Sequence, residues 1–318
     1  MNRYDHRRRD DQGNDDQAGA RDSAAVVQFF EGRDAVTGAS PTLRQRELGV
    51  RLRKLRTGLS MTVEDVADKL LCSPAKISRM ETAARRPSQR DVRDLCDLYG
   101  VDEAVRAELM QLTREAREQG WWTQYEDLNL YPFIGLEQDA AAITCFSMYH
   151  VPGLLQTDDY ARSMIKAVLP GINPDILENR VEARRRRQQL LESENAPRYR
   201  AVIDEAVLRR SVGGPMVMTA QLSKIIEFVR AGKVTVQVIP FDAGAYATSD
   251  SNFVLLEFGE SPLSAVIYVE GLASGQYYER ASDVALYREA VEHLRDSALS
   301  PRDSVQLLED IRKSYANK

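Results

Sequence analysis

CSPAKISRMETAARRPS, residues 72–88, carries a helix start, one inward row of apolar residues and a basic outer row. Ser73 is placed to cap a helix, and Pro74 falls at the first helical position, where its missing N–H costs nothing. Ile77 and Met80 share one face, which turns Ala75, Lys76, Ser78 and Arg79 outward. Working upstream, Thr62 caps VEDVADKL, with Asp65 three positions on as the second half of a capping box. Val66 and Leu70 continue the apolar face across a short Leu71-Cys72 connection. The spacing predicts two short helices, 63–70 and 74–81, joined as a helix-turn-helix.

The flanks extend the pattern. Leu48, Leu52 and Leu55 recur at helical spacing before it. After it, Ser88 with Asp91 repeats the capping signal for QRDVRDLCDLY, and Gly100 is the expected terminating residue. A fifth helix follows in VDEAVRAELMQLTREAREQ. Residues 41–90 hold 12 Lys/Arg against 5 Asp/Glu, whereas the whole chain has a net charge of −5. A small basic module on an acidic body is the pattern expected when one face meets a polyanion.

If the second helix of the pair lies in the major groove, Arg79 suits the O6 and N7 of a guanine and Ala75 a thymine methyl. Lys76, Ser78 and Arg85 suit phosphate oxygens, and the helix start at Ser73 offers a further phosphate site. A helical bundle with a basic surface and no DNA to bind is the bland alternative.

Residues 43–117 resemble the lambda-repressor-like (XRE, Cro/cI-type) DNA-binding domain, most closely over LSMTVEDVADKLLCSPAKISRMETAARRPSQRDVRDLCDLYGV. The family has a glutamine near the start of the first helix of the pair, where this chain has Val63. It favours glycine in the turn and after the recognition helix, where Leu71 and Ala83 stand here. Keeping the backbone path would drive both residues to positive φ, at a cost of about 1 kcal/mol each.

Beyond the basic module the texture changes. Residues 1–40 are polar and charged and read as a disordered leader, with AAVVQFF (24–30) as an apolar patch within it. Residues 41–118 form the helical domain. Residues 119–318 read as a larger α+β domain, entered through the aromatic run GWWTQYEDLNLYPF (120–133). Helices are expected over about 135–147, 157–168, 174–192, 215–231, 281–297 and 301–315. YRAVIDEAVL, VTVQVIPF, SNFVLLEF and AVIYVEG are strand-like, and a mostly antiparallel sheet is expected.

HVPGLLQTDDYARSM, DEAVLRRSVGGPMVMTAQL, VTVQVIPFDAGA, FVLLEF and VIYVEG, in that order, resemble the C-terminal domain of actinobacterial XRE regulators of the antitoxin-like, WhiJ type. The resemblance implies a transcription regulator that binds a small partner protein encoded nearby. Read singly, the same residues have structural explanations: Pro152-Gly153 a turn, Thr157 a cap, Gln221 a partner for a backbone group. Trp121, Trp122 and Tyr125 either line a ligand pocket or seal a seam between domains. Arg184, Arg185, Arg186 and Arg187 either form a solvated face paired with Glu178, Glu182 and Glu192, or hold an acidic partner or a second stretch of DNA.

No GxSxG, P-loop, HExxH or GxGxxG motif occurs, and Asp204, Glu205 and Glu270 make an acidic site only if their strands adjoin. Three scattered cysteines and three scattered histidines give no metal-ligand spacing and point to a reducing cytoplasm. No catalytic residue, metal or cofactor is expected. Two readings remain. One is a DNA-binding regulator, homodimeric on a pseudo-palindromic double-stranded operator, whose C-terminal domain senses a small protein or ligand. The other is an antitoxin-like protein that chiefly holds a small partner, with DNA binding serving autoregulation.

Overall fold

The computed structural model describes residues 43–125, 131–248, 251–259, 261–271 and 275–318. The leader and its AAVVQFF patch lie outside the described residues, as does part of the aromatic run. Five helices open the described chain: α1 (Leu43–Gly58), α2 (Val63–Lys69), α3 (Pro74–Glu81), α4 (Gln89–Tyr99) and α5 (Glu103–Glu115). Their shared core contains Leu48, Leu52, Val66, Ile77, Met80, Val92, Leu95 and Leu109. Capping boxes start α2 (Thr62 with Asp65) and α4 (Ser88 with Asp91), and left-handed Gly100 ends α4. Local chemistry therefore fixes where each helix begins, and burial of one apolar face holds them together.

The larger region follows with α6 (Tyr131–Asp139), β1 (Ala142–Ser147), α7 (Asp158–Val168), α8 (Pro174–Gln188), β2 (Arg198–Asp204), α9 (Glu205–Arg209) and α10 (Pro215–Arg230). It continues with β3 (Val234–Ile239), β4 (Phe253–Glu257), β5 (Ala265–Val269), β6 (Gln276–Tyr278), α11 (Ala281–Ser297) and α12 (Pro301–Ala316). The strands form one sheet in the order β3-β2-β1-β4-β5-β6. This is an α+β fold, and the sheet is mixed. The β1–β4, β4–β5 and β5–β6 pairs are antiparallel, whereas β1–β2 and β2–β3 are parallel. The parallel half follows from the helices between those strands, since a crossover connection returns the chain in the same direction.

Two expectations change in detail. The helix expected over 135–147 ends at Asp139, and AITCFS is the central strand β1, buried along its whole length. An apolar run with β-branched residues and no alternation is what a strand covered on both faces looks like, and its periodicity does not separate it from helix. YRAVIDEAVL is strand only to Asp204, whose side chain then caps α9.

Helices cover both sheet faces. Met218, Leu222 and Ile225 of α10 and Leu308 and Ile311 of α12 pack with Ile143, Ala201 and Val236 on one side. On the other, Val284, Val291 and Leu294 of α11 pack with Phe146, Val202 and Phe253. Helix α1 serves two cores: Leu48 and Leu52 lie in the five-helix cluster, whereas Leu43 belongs to the sheet cluster and Val50 packs on it. No helix among the described residues is long and apolar enough to cross a membrane.

Candidate nucleic-acid interface

Helix α3 is held by its inner face and by both ends. Ser73 Oγ accepts from the Lys76 N–H at 3.3 Å and starts it. Ile77 and Met80 are buried, while Ala75, Ser78 and Arg79 are exposed. Leu71 (φ 50°) and Ala83 (φ 56°) take the left-handed conformation at the two positions where the resemblance led us to expect it. At the C-terminal end, Gln45 Nε2 donates to the Ala83 carbonyl at 2.8 Å. Arg56 makes a paired hydrogen bond to buried Glu81, with Nε–Oε1 at 2.6 Å and Nη2–Oε2 at 2.8 Å. The exposed row on α3 thus sits on a helix that cannot turn about its own axis without breaking these contacts.

The proposed contact residues separate into two groups. Ala75, Ser78, Arg79 and Arg85 are exposed, and the Arg85 N–H donates to the Arg79 carbonyl at 2.9 Å, which ties the following loop to the helix. Lys76 is half-buried, with its Nζ 2.5 Å from Asp91 Oδ1 at the start of α4. Its charge is therefore already partnered within the protein. Burial raises the Asp91 carboxyl, but hydrogen bonds from Lys76 and Ser88 outweigh it and hold the group below its ordinary value.

Beside α3, Arg85, Arg86, Ser88, Asp91 and Arg117 line an open groove. Arg86 is committed inward, its Nε donating to Gln45 Oε1 at 3.2 Å. Burial and the neighbouring Arg117 lower its pKa. Arg117 was missed from sequence because it lies past the end of α5 and reaches this groove only through the packing of the bundle.

The C-terminal candidates do not form one surface. Trp122 is buried against Ile134 and Ala183, with Trp121 and Tyr125 packed on the same cluster. Trp121 meets Trp122 edge-on at 5.9 Å and donates from Nε1 to Gln138 Oε1 at 3.0 Å. These aromatics pack the approach to α6 against α8. The four arginines of α8 do not share one face: Arg184 and Arg187 line one cavity, while Arg185 and Arg186 go elsewhere, which corrects the expectation of a single basic face. Arg185 pairs with Glu182 at 2.6 Å, and Arg186 lies over the Trp121 ring at 4.6 Å. Arg187 makes a buried paired hydrogen bond to Glu137, at 2.8 and 2.9 Å. Arg184 turns to a cavity beside the sheet. Glu178 and Glu192, expected as partners for this helix, instead pair with Arg162 and Lys233.

The other motifs have structural roles. Gln221 accepts from the Thr157 N–H at 2.8 Å and donates to the Leu155 carbonyl at 2.7 Å. Asp204 caps α9 and accepts from the Tyr246 hydroxyl, while Glu205 accepts from the Phe241 N–H and from Arg209. Glu270 lines the cavity near Arg184, so the three carboxylates do not share a site.

The five-helix geometry defines a helix-turn-helix DNA-binding module joined to an α+β domain. Residues 47–109 match the family described as a helix-turn-helix domain. Residues 130–310, more than half of the chain, match a domain of unknown function (DUF5753), and the chain belongs to that family. No match is found among curated proteins or among solved structures.

Proposed function

We propose that the protein is a non-catalytic, sequence-specific transcription regulator that places α3 in the major groove of double-stranded DNA. The observation that carries this reading is the exposed row Ala75, Ser78 and Arg79, continued by Arg85, on a helix clamped at its other face and its C-terminal end. Arg79 reads a guanine, Ala75 contacts a thymine methyl, and Ser73, Ser78 and Arg85 hold phosphates. One eight-residue helix makes too few base contacts for genomic selectivity, so a homodimer on a pseudo-palindromic operator is part of the proposal. The C-terminal domain is the sensing element, acting through α1, which it shares with the DNA-binding core.

Fluorescence anisotropy on the DNA upstream of the protein's own gene, against scrambled DNA across a salt series, tests this reading. Arg79→Ala should cost about 1–3 kcal/mol on the operator and relax preference at one base pair per half-site. Unchanged operator preference in that variant would show that α3 does not read the groove as proposed.

A further inference from the structure

A cavity of about 90 Å³ opens beside β1, at the ends of β4 and β5, and is served by α8. Its size accommodates roughly six non-hydrogen atoms, at about one water-sized position per 15 Å³. One wall is apolar, from Phe146, Phe253 and Val254. The other carries His150, Gln156, Arg184 and Glu270.

The polar wall is incompletely satisfied by the protein. Arg184 is half-buried as a residue, yet its Nη1 is shielded from solvent and has no hydrogen-bond partner among the described residues. Gln156 donates from Nε2 to the Val151 carbonyl at 2.7 Å, while its shielded Oε1 has no donor among those residues. Two residues that line one small space thus each carry a shielded polar atom without a partner among the described residues, a group whose burial is costly unless something pairs with it.

The charges define what would pair with them. Arg187 and Glu137 neutralise each other. Burial, reinforced by nearby Arg187, pushes the Arg184 guanidinium down to about 10, so it remains charged at neutral pH. Glu270 is close enough to influence both Arg184 and His150 electrostatically, and burial lowers the His150 pKa. Arg184, and Glu270 at the exposed edge of the cavity, sense each other's charge but neither makes an ion pair within 4.0 Å among the described residues. A net anion such as phosphate would face Glu270, and a simple amine would face Arg184. A zwitterion meets both.

We propose that this cavity binds a small α-amino acid, with its carboxylate on Arg184, its ammonium between Glu270 and Gln156 Oε1, and its side chain against Phe146 and Phe253. The wall of the cavity also leads to the DNA-binding core. Phe133 and Tyr268, both lining it, stack at 4.4 Å, and Tyr268 meets Tyr277 at 5.1 Å. Tyr277 in turn lies under the Arg46 guanidinium of α1 at 4.8 Å. An effect of the amino acid on operator binding follows from this path and rests on the sensing role proposed above; binding itself does not.

The test is calorimetric titration of the full-length protein with L-alanine, L-serine and the remaining standard amino acids, without DNA, alongside propionate and ethylamine. Alanine or serine should bind, with propionate and ethylamine each weaker by about tenfold or more, as for loss of a charge-assisted hydrogen bond. Arg184→Gln and Glu270→Gln should each weaken alanine by a similar factor. Arg184→Lys, which keeps the charge and loses the planar fork, serves as a second variant if Arg184→Gln does not fold. Absence of binding by every amino acid would overturn the proposal, as would propionate binding as well as alanine. Operator affinity with and without alanine is then measured separately. Binding that leaves operator affinity unchanged would refute the sensing role alone.

Discussion

Arg56 and Glu81 form a buried paired hydrogen bond that fastens the last turn of α1 to the last residue of α3. A third donor of the same guanidinium, Nη1, reaches the Met61 carbonyl at 2.7 Å. Hydrogen bonding to Glu81, opposed by burial, raises the Arg56 pKa. Glu81→Ala leaves this guanidinium partly buried without its carboxylate. It should destabilise the five-helix module by about 3 kcal/mol in urea unfolding, the lower end of the range for a broken buried pair. A cost below about 1 kcal/mol would mean that the pair behaves as an exposed one.

Leu71 stands in the turn at φ 50° with its side chain 95% exposed, so it contributes strain there and little burial. Leu71→Gly should stabilise the module by up to about 0.5 kcal/mol, the left-handed penalty of about 1 kcal/mol less the extra freedom glycine has in the unfolded chain. Ala83, at φ 56°, is buried, and glycine there also loses a packed methyl, so its gain should be smaller. Equal effects at the two sites in denaturant titration would show that burial does not matter at Ala83.

The five-helix module was legible because its information is local. Thr62, Ser73 and Ser88 announce helix starts, Gly100 announces a stop, and Ile77 and Met80 reveal the buried face. The positive φ at Leu71 and Ala83 was likewise readable from a pattern of where glycine is favoured. The partnership of Lys76 with Asp91 was not, since it depends on how α3 and α4 cross. The same limit hid the fates of Arg184 to Arg187. Arg184 and Arg187, three positions apart, both line one cavity, whereas Arg185 and Arg186 go elsewhere, and what lies in each direction is set by long-range packing. The sheet's parallel half was not read, because β1 was hidden by its unbroken apolar run and taken as the end of a helix.

Asp91 restrains Lys76, so removing its charge should make the lysine available to DNA. Asp91→Asn is expected to strengthen binding to all sequences alike and to steepen the salt dependence by about one phosphate contact. Because Asp91 also completes the Ser88 capping box, the same change should cost about 1 kcal/mol of stability. The pH dependence follows with a definite sign. The folded-state pKa of Asp91 is below its ordinary 3.8, so its stabilisation is present above that value and is lost as pH falls through the lower folded one. Circular dichroism should therefore show a shallower acid limb in Asp91→Asn than in the unsubstituted protein. An unchanged salt slope would mean that Lys76 does not reach phosphate even when released.

Gly49 sets the distance between α1 and α3. A Cβ there would lie 2.6 Å from the Glu81 carbonyl oxygen and 3.0 Å from that of Met80, and both are backbone atoms that cannot swing away. Gly49→Ala should therefore push the end of α3 off α1, strain the Arg56–Glu81 pair and cost about 1–3 kcal/mol. Operator affinity should fall with it, because the exposed row on α3 loses its fixed orientation. Gly58, at the end of the same helix, has nothing within 4 Å of an added Cβ, so Gly58→Ala tests helix propensity without the clash. It should be neutral or stabilising by up to about 1 kcal/mol. Urea unfolding together with anisotropy on operator DNA separates the outcomes. If Gly49→Ala unfolds and binds like Gly58→Ala, the close approach of α1 to α3 does not position the DNA-reading face.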